Sequence, residues 1–430
     1  MFPNPRLARR VLAGAAALLL TFGLTAFGAT AASAAPAVDI AIVPGSPESP
    51  SDFVEWNGLV YFSGFNGATK VLYSFDGTTS TQVVGGGDPR PEDVEELIVH
   101  DNKVFFVGDD GVGDPMLYSW DGSVFDEVGP GGDAQPTFIN YLVSFDGALF
   151  FRGANGANDV LYSWDGTVFD DISGGGGPDD VYDLAVYDDK LYFAGYDGAD
   201  YFLYSWDGTV IDKISDNVGD PTDLYGLSVH DGLLFFAGFD GSEFVLFSWD
   251  GSVFDEVGPG GDSAPIDVED FVTYNGVLYF SGYDGSDDYL YSWDGTNFTL
   301  IVGGTGSAPT PDDPEYFVIY NDVLYFNGDG DVGNTLHSWD GSVFTLYAAP
   351  PFDMEDSIVY NGVLYFNADG PDDSDGDLVE NIWSLRTAEG PVLPPTGFDP
   401  LLLIGIAGAT LLAGAGLLLL VRRRAAKHDR

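Results

Sequence analysis

The sequence predicts an all-β fold, a β-propeller of eight four-stranded blades, flanked by a signal peptide and a C-terminal transmembrane helix. Three observations carry this expectation. A Leu-Tyr-Ser-Trp-Asp-Gly-Ser/Thr segment recurs along the chain, with marker positions at Phe75, Trp120, Trp164, Trp206, Trp249, Trp293, Trp339 and Leu385. Their spacing stays within 42–46 residues, a period that belongs to repeat architectures. Each unit also holds four β-rich runs separated by turn signals, the count of one propeller blade.

The unit around Phe271 to Gly303 shows how the runs are read. Phe271-Val272-Thr273-Tyr274 alternates and is followed by Asn275-Gly276, the strongest short hairpin signal. Val277 to Gly282 is the second run, the loop Asp284 to Asp288 is polar, and Tyr289 to Trp293 is the third. Asp294-Gly295 turns the chain into Asn297 to Val302, and Gly303, Gly304, Pro309 and Pro311 mark a longer connection. In all eight units the first turn is built from Asn, Asp and Gly, residues that tolerate the positive φ of a type I′ turn: Asn57-Gly58, Asp101-Asn102, Asp146-Gly147, Asp188-Asp189, Asp231-Gly232, Asn275-Gly276, Asn321-Asp322 and Asn361-Gly362. The second and third runs are continuously apolar because a blade is covered on both faces by its neighbours. A β-solenoid is the rival, but it uses shorter rungs without paired hairpin turns.

The ends of the array bear on closure. The eighth unit lacks a good fourth run after Leu385. The segment Val38 to Val43, with Pro44-Gly45, has the character of a fourth strand with its exit loop. The expectation is a ring closed by the N-terminal strand completing the last blade, giving eight blades, with seven as the alternative.

Outside the repeat, residues 1–35 read as a signal peptide. Arg6, Arg9 and Arg10 precede an apolar run, and Ala32-Ser33-Ala34 forms a small-residue cleavage site. The ectodomain is then 36–388, followed by a Pro-rich stalk over 389–397. Residues 401–421 are uncharged and long enough to span a bilayer, and the tail 422–430 is basic, so the tail stays cytoplasmic.

Leu393-Pro394-Pro395-Thr396-Gly397, the apolar span and the basic tail together resemble the LPxTG sorting signal of Gram-positive surface proteins. The resemblance implies that a sortase cysteine attacks the Thr396 carbonyl, that cleavage falls between Thr396 and Gly397, and that Thr396 becomes amide-linked to peptidoglycan. It implies a cell-wall location, with a membrane intermediate only before sorting. The repeat, over about Ser51 to Leu385, resembles the hyalin-like propeller repeats of bacterial surface proteins, in which a Leu-Tyr or Leu-Trp strand runs into an Asp-Gly-Thr turn. That likeness guides the fold and not the function.

Composition narrows the partners. Apolar residues make up 45% of the chain and aromatics 15%, so a core is within reach, and there is no Cys to form a disulfide or a thiolate site. Only seven of the 15 Lys and Arg but 66 of the 68 acids fall within residues 36–396, a formal charge near −59. Such a surface repels nucleic acid and anionic lipid and attracts Ca²⁺, basic peptides or cationic polymers; solubility alone is the competing explanation.

The catalytic signals are thin. The Ser-Trp-Asp-Gly-Thr turn resembles the Asp-box of sialidases but departs from it by one residue, and in that family the box is structural. A sialidase-like site would also need clustered arginines, and the ectodomain has Arg90, Arg152 and Arg386. Arg152 stands in a column otherwise held by Ser63, Val107, Ala194, Ala237, Ser281 and Asn327, which places it in the channel, on a face, or in an ion pair. His100 and His230 occupy a tyrosine column, and His337 replaces the Tyr of the repeat; they read as substitutions in structural columns. The loops after the second and fourth strands share one face and carry the surplus acids, among them Asp109-Asp110, Asp197, Asp200, Asp284, Asp287, Asp288, Glu92 to Glu96, and Asp267 to Asp270. In the richest loop, Asp369, Asp373, Asp375 and Asp377 alternate with Gly and suit an oxygen-ligated Ca²⁺. The leading expectation is a non-catalytic binding or adhesion propeller for an extracellular ligand, acting through its acidic loop face. A glycan-active or glycan-binding propeller and a structural spacer are the alternatives.

Overall fold

The computed structural model describes residues 38–387, apart from residue 89 and the loop stretches 112–114, 130–134, 175, 216–219, 259–260, 262–263, 305–306, 330–333, 348–350, 352 and 371–378. The signal peptide, the sorting motif and the apolar span lie outside these residues.

The described chain forms eight sheets arranged as the blades of a ring, all antiparallel but for a two-residue strand, Gly86–Gly87, added in parallel to the outer edge of the second. Blade 1 comprises Glu48–Trp56, Leu59–Phe65, Lys70–Phe75 and Ser80–Gln82, in spatial order. Blades 2 to 7 repeat this plan, with first strands Glu92–His100, Thr137–Phe145, Asp179–Tyr187, Thr222–His230, Ile266–Tyr274 and Asp312–Tyr320. Blade 8 contributes Ser357–Tyr360, Val363–Asp369 and Glu380–Thr387. Its outer strand is Val38–Ile42, paired antiparallel with the third strand from Val38 opposite Thr387 to Ile42 opposite Trp383. The ring therefore has eight blades and is closed by the N-terminal strand, as the sequence implies.

Burial explains the sequence pattern. Second strands such as Lys190–Tyr196 are buried over five consecutive positions. The apolar core divides into eight clusters, each straddling a pair of adjacent blades. Val60, Phe62 and Phe75 of blade 1 pack with Tyr360, Tyr365 and Ile382 of blade 8 in one of them. Val94, Val104 and Phe106 of blade 2 meet Trp56, Tyr61 and Leu72 of blade 1 in the next. Closure thus uses the same packing as every other blade interface.

All eight first turns have positive φ at both central residues, for example Asp188 at 46° and Asp189 at 58°, so the type I′ assignment holds throughout. The Asp-Gly turn between third and fourth strands works differently. In blade 3 only Gly166 has positive φ, at 93°, and the Asp165 side chain organises the loop, accepting from the amides of Thr167 at 2.8 Å and Val168 at 2.9 Å and from the Thr167 hydroxyl at 2.7 Å.

The first strands depart from the sequence reading. In blades 1 to 7 they run for nine residues and begin earlier than their regular alternation suggests: blade 6 starts at Ile266 and not at Phe271. The early half of each nine-residue first strand contains two register shifts, in blade 6 between Ile266 and Glu269 and between Glu269 and Val272. Left-handed residues three apart produce them, such as Asp267 at 48° and Asp270 at 53°. These bulges erase the period-two pattern that marks a strand in sequence.

Candidate functional site: the acidic mouth of the channel

The first strands of successive blades pack against one another and line the axis of the ring. Their bulged halves lie on the face that carries the loops between second and third strands. Bulging turns the residue at the second left-handed position toward the next blade. In blades 1 to 7 that position holds Asp52, Glu96, Tyr141, Asp183, Gly226, Asp270 and Tyr316; Asp356, just ahead of the shorter first strand of blade 8, takes the equivalent place.

The carboxylates in this series make a recurring contact: each accepts a hydrogen bond from the backbone of the equivalent position one blade on. The Glu96 amide donates to Asp52 at 3.2 Å, and the Tyr141 amide to Glu96 at 3.0 Å. The Tyr316 amide donates to Asp270 at 3.3 Å. Asp183 receives the amides of Gly226 and Leu227, the second at 3.2 Å. Across the closing interface the Asp52 amide donates to Asp356 at 3.0 Å. Five of the eight blade interfaces are therefore stitched at the channel by a carboxylate and an amide, including the one that closes the ring.

One residue earlier stands a second ring, Ser51, Glu95, Asn140, Tyr182, Tyr225, Glu269 and Glu315 within the first strands and Glu355 ahead of the last one. Here too the electrostatics run one way. Burial pushes the carboxyls of Asp52, Glu96, Asp183 and Asp270 above their ordinary range, and Asp52 adds to the effect on Glu96. Glu95, Glu269 and Glu315 are raised first by desolvation and then by neighbouring acids: Asp52 for Glu95, and Asp270 for both Glu269 and Glu315. Basic relief is sparse. Lys70 donates to the Ser51 hydroxyl at 3.2 Å and lowers Asp52 and Glu95 slightly. Three aromatic side chains stand exposed among the acids: Phe138 at 60%, Tyr141 at 41% and Tyr316 at 43%. They come from first strands, where a blade-packing role would have buried them.

Arg152 bridges two blades. It ion-pairs with Asp159 in its own blade and with Asp180 of blade 4 at 3.1 Å, and Tyr201 donates to the same Asp180. Arg386 lies exposed in the last strand opposite Asp39. Arg90 is exposed just ahead of the first strand of blade 2, so the three arginines of the ectodomain sit in different blades and form no carboxylate-binding cluster.

The acidic loops between second and third strands prove to be the same kind of turn as the Asp-Gly-Thr loops. Asp197 accepts from the amides of Ala199 and Asp200, Asp240 from Ser242 and Glu243, and Asp284 from Ser286 and Asp287. Backbone geometry accounts for these aspartates on this face as it does on the other. What sets the channel mouth apart is the acids of the first strands. Glu92, Asp93, Glu95, Glu96, Asp267, Glu269 and Asp270, which the sequence suggests are connections, are strand residues.

For calcium, Asp369 ends the second strand of blade 8, while Asp373, Asp375 and Asp377 fall outside the described residues. Among the described residues no group of three or more His, Asp and Glu could hold a metal ion. The sortase residues Leu393 to Gly397 are likewise outside.

The molecule is a β-propeller by architecture. No protein-family model matches the sequence, and none of the curated proteins matches it significantly. Among solved structures it is similar to the computationally designed Ika8 protein, at 15% identity over 79% of this chain and 98% of that one, with a TM-score of 0.52. It is also similar to the β-propeller domain of the Trilobed protease from Pyrococcus furiosus, at 14% identity over 69% of this chain and 94% of that one, with a TM-score of 0.43. At such identities the likeness concerns the fold alone.

Proposed function

We propose that the chain is a cell-wall-anchored surface protein whose propeller binds, without catalysis, a basic peptide segment of an extracellular partner at the acidic mouth of its channel. The observation that carries this reading is the shared location of two features. Carboxylates that gain from a nearby positive charge stand beside Phe138, Tyr141 and Tyr316, whose exposed rings offer faces for Lys and Arg. A merely solubilising acidic surface would place its acids in full contact with water and would not expose aromatic rings among them. The proposal of wall anchoring rests on the order of sorting motif, apolar span and basic tail in residues 393–430.

The test is titration with a Lys- and Arg-rich peptide at low and at physiological salt. Binding is expected to weaken with salt and to fall at least tenfold in a Glu95→Gln, Glu269→Gln, Glu315→Gln triple variant. Undiminished affinity in that variant, once shown to be folded, refutes the site.

A further inference from the structure

The opposite face of the ring carries hairpin turns, and at the end of each first strand stands one residue that reaches toward the next blade. In four blades this residue is a tyrosine whose hydroxyl donates to a carbonyl of the neighbouring type I′ turn. Tyr187 reaches Gly232 at 2.9 Å, Tyr274 reaches Asp322 at 2.7 Å, Tyr320 reaches Gly362 at 2.8 Å, and Tyr360 reaches Gly58 at 2.6 Å. The phenol closes the gap between blades.

Blades 2 and 5 carry His100 and His230 in its place. An imidazole is too short for that reach, and each ring takes another partner. His100 Nδ1 pairs with the Ser144 hydroxyl at 2.8 Å, and His230 Nδ1 with the Thr273 hydroxyl at 2.7 Å. The corresponding position facing the tyrosines is Val229, Ile319, Val359 or Glu55. The substitution is therefore paired: where the ring is His, the next blade supplies a hydroxyl, and this happens twice.

A cleft lies at each pairing; the matching cleft between blades 3 and 4, of about 280 Å³, has Phe145 in the histidine's place and so lacks the imidazole. Between blades 2 and 3 the cleft has a volume of about 310 Å³ and is lined by His100, Ser119, Asp126, Gly147, Trp164 and Asp165. Between blades 5 and 6 it has a volume of about 350 Å³ and is lined by the equivalent His230, Ser248, Asp255, Gly276, Trp293 and Asp294. Gly147 and Gly276 hold the turn position whose carbonyl receives a tyrosine hydroxyl elsewhere; here they line the cleft. Both volumes lie at the lower end of the roughly 300–1,000 Å³ of small-molecule sites.

We infer that these two clefts are equivalent binding sites for one neutral pyranose unit each, such as the terminal hexose of a glycan. An indole supplies an apolar wall for a sugar ring. Carboxylates, a serine hydroxyl and a backbone carbonyl supply acceptors for its hydroxyl protons. The imidazole, with Nδ1 committed to a hydroxyl, retains Nε2 for a further hydrogen bond. Asp231, Asp255, Glu256 and Asp294 in the second cleft repel anionic sugars, and in the first Asp101, Asp126 and Asp165 outnumber the single cation, Lys103. The inference is independent of the acidic mouth: it concerns the other face and a different ligand class.

The test uses the tyrosine that the fold already accommodates. The full-length protein is applied to an array of neutral glycans ending in glucose, galactose, mannose and N-acetylglucosamine, and the glycan it selects is then titrated. Two sites per chain are expected for the parent, one for His100→Tyr or His230→Tyr, and none for the double variant, with melting temperatures at or above the parent's. Failure of the folded parent to bind any neutral glycan overturns the inference. So does unchanged binding by the folded double variant. A Tyr187→His, Val229→Thr variant that gains a third site would support it from the opposite direction.

Discussion

Asp183 offers the sharpest test of the stitching around the channel. Its carboxylate accepts the Gly226 and Leu227 amides of the next blade. Asp183→Ala leaves both amides without that acceptor. An orphaned buried donor costs about 1–3 kcal/mol, and at this half-buried position the pair is expected to cost about 2–3 kcal/mol. An unfolding entropy of about 2.1 cal/mol/K per residue, over the roughly 350 residues of the ring, converts this into a fall in Tm of about 3–4 °C. Asp183→Asn keeps a carbonyl oxygen for the amides and removes the charge. Burial holds the folded-state carboxyl above its ordinary range, so protonation favours the folded protein. That stability is fully present below the unfolded-state value and is lost as pH rises through the folded-state value. At neutral pH the asparagine variant should therefore melt at or above the parent. Between neutral and mildly acid pH the parent should gain stability and the asparagine variant should gain less. The assay is thermal unfolding followed by tryptophan fluorescence. An alanine variant that melts with the parent, or an asparagine variant as unstable as alanine, would refute the reasoning.

Three further outcomes follow from other parts of the molecule. Deleting residues 38–42 uncovers Trp383 and Leu385 and removes the half-buried Val38, Ile40 and Ile42 from the last cluster; at about 1.5–3 kcal/mol per fully buried side chain, a loss of about 3–5 kcal/mol should appear in urea unfolding, and an unchanged midpoint would contradict it. Gly195→Ala would place a methyl 2.6 Å from Cβ and 2.7 Å from Cγ of Pro178, a contact repeated in the other blades by pairs such as Gly153 with Pro136; overpacking of about 1–3 kcal/mol should lower Tm, and a neutral result would show that the proline yields. Thr396→Ala should shift the protein from the peptidoglycan fraction to the membrane fraction of the cell, and persistence in the wall fraction would count against anchoring through Thr396.

Much of the ring was legible because its causes are local. The Asn-Gly and Asp-Gly turns carry their own backbone preference, the markers from Phe75 to Leu385 count the units, and the weak end of the eighth unit calls for the strand Val38–Ile42 that completes it. The acidic mouth was only half legible. Glu95, Glu96, Glu269 and Asp270 were visible as acids on the correct face, yet the bulges at Asp93 and Asp267 hid the strands that hold them. The contacts that give these acids a role join residues about 44 apart, such as Asp52 with the Glu96 amide, and only the ring brings them together. His100 and Ser144 pose the same difficulty: each alone reads as a tolerated substitution, and their pairing emerges only when the two are seen across one interface.

The strand Val38–Ile42 also fixes the order in which the molecule is assembled. Synthesis proceeds from the N-terminus, so this strand emerges before the first blade but has no partner until Glu380–Thr387 follows at the other end of the repeat. Blades 1 to 7 contain their own hairpins and can form as they appear; the eighth cannot be completed by its own residues. A chain cut short anywhere in the repeat would keep an unpaired leading strand and two bare blade surfaces, exposed to proteases and to neighbouring chains. The first strand made thus acts as a check that the last one has arrived, and a completed ring reports a chain made through Thr387.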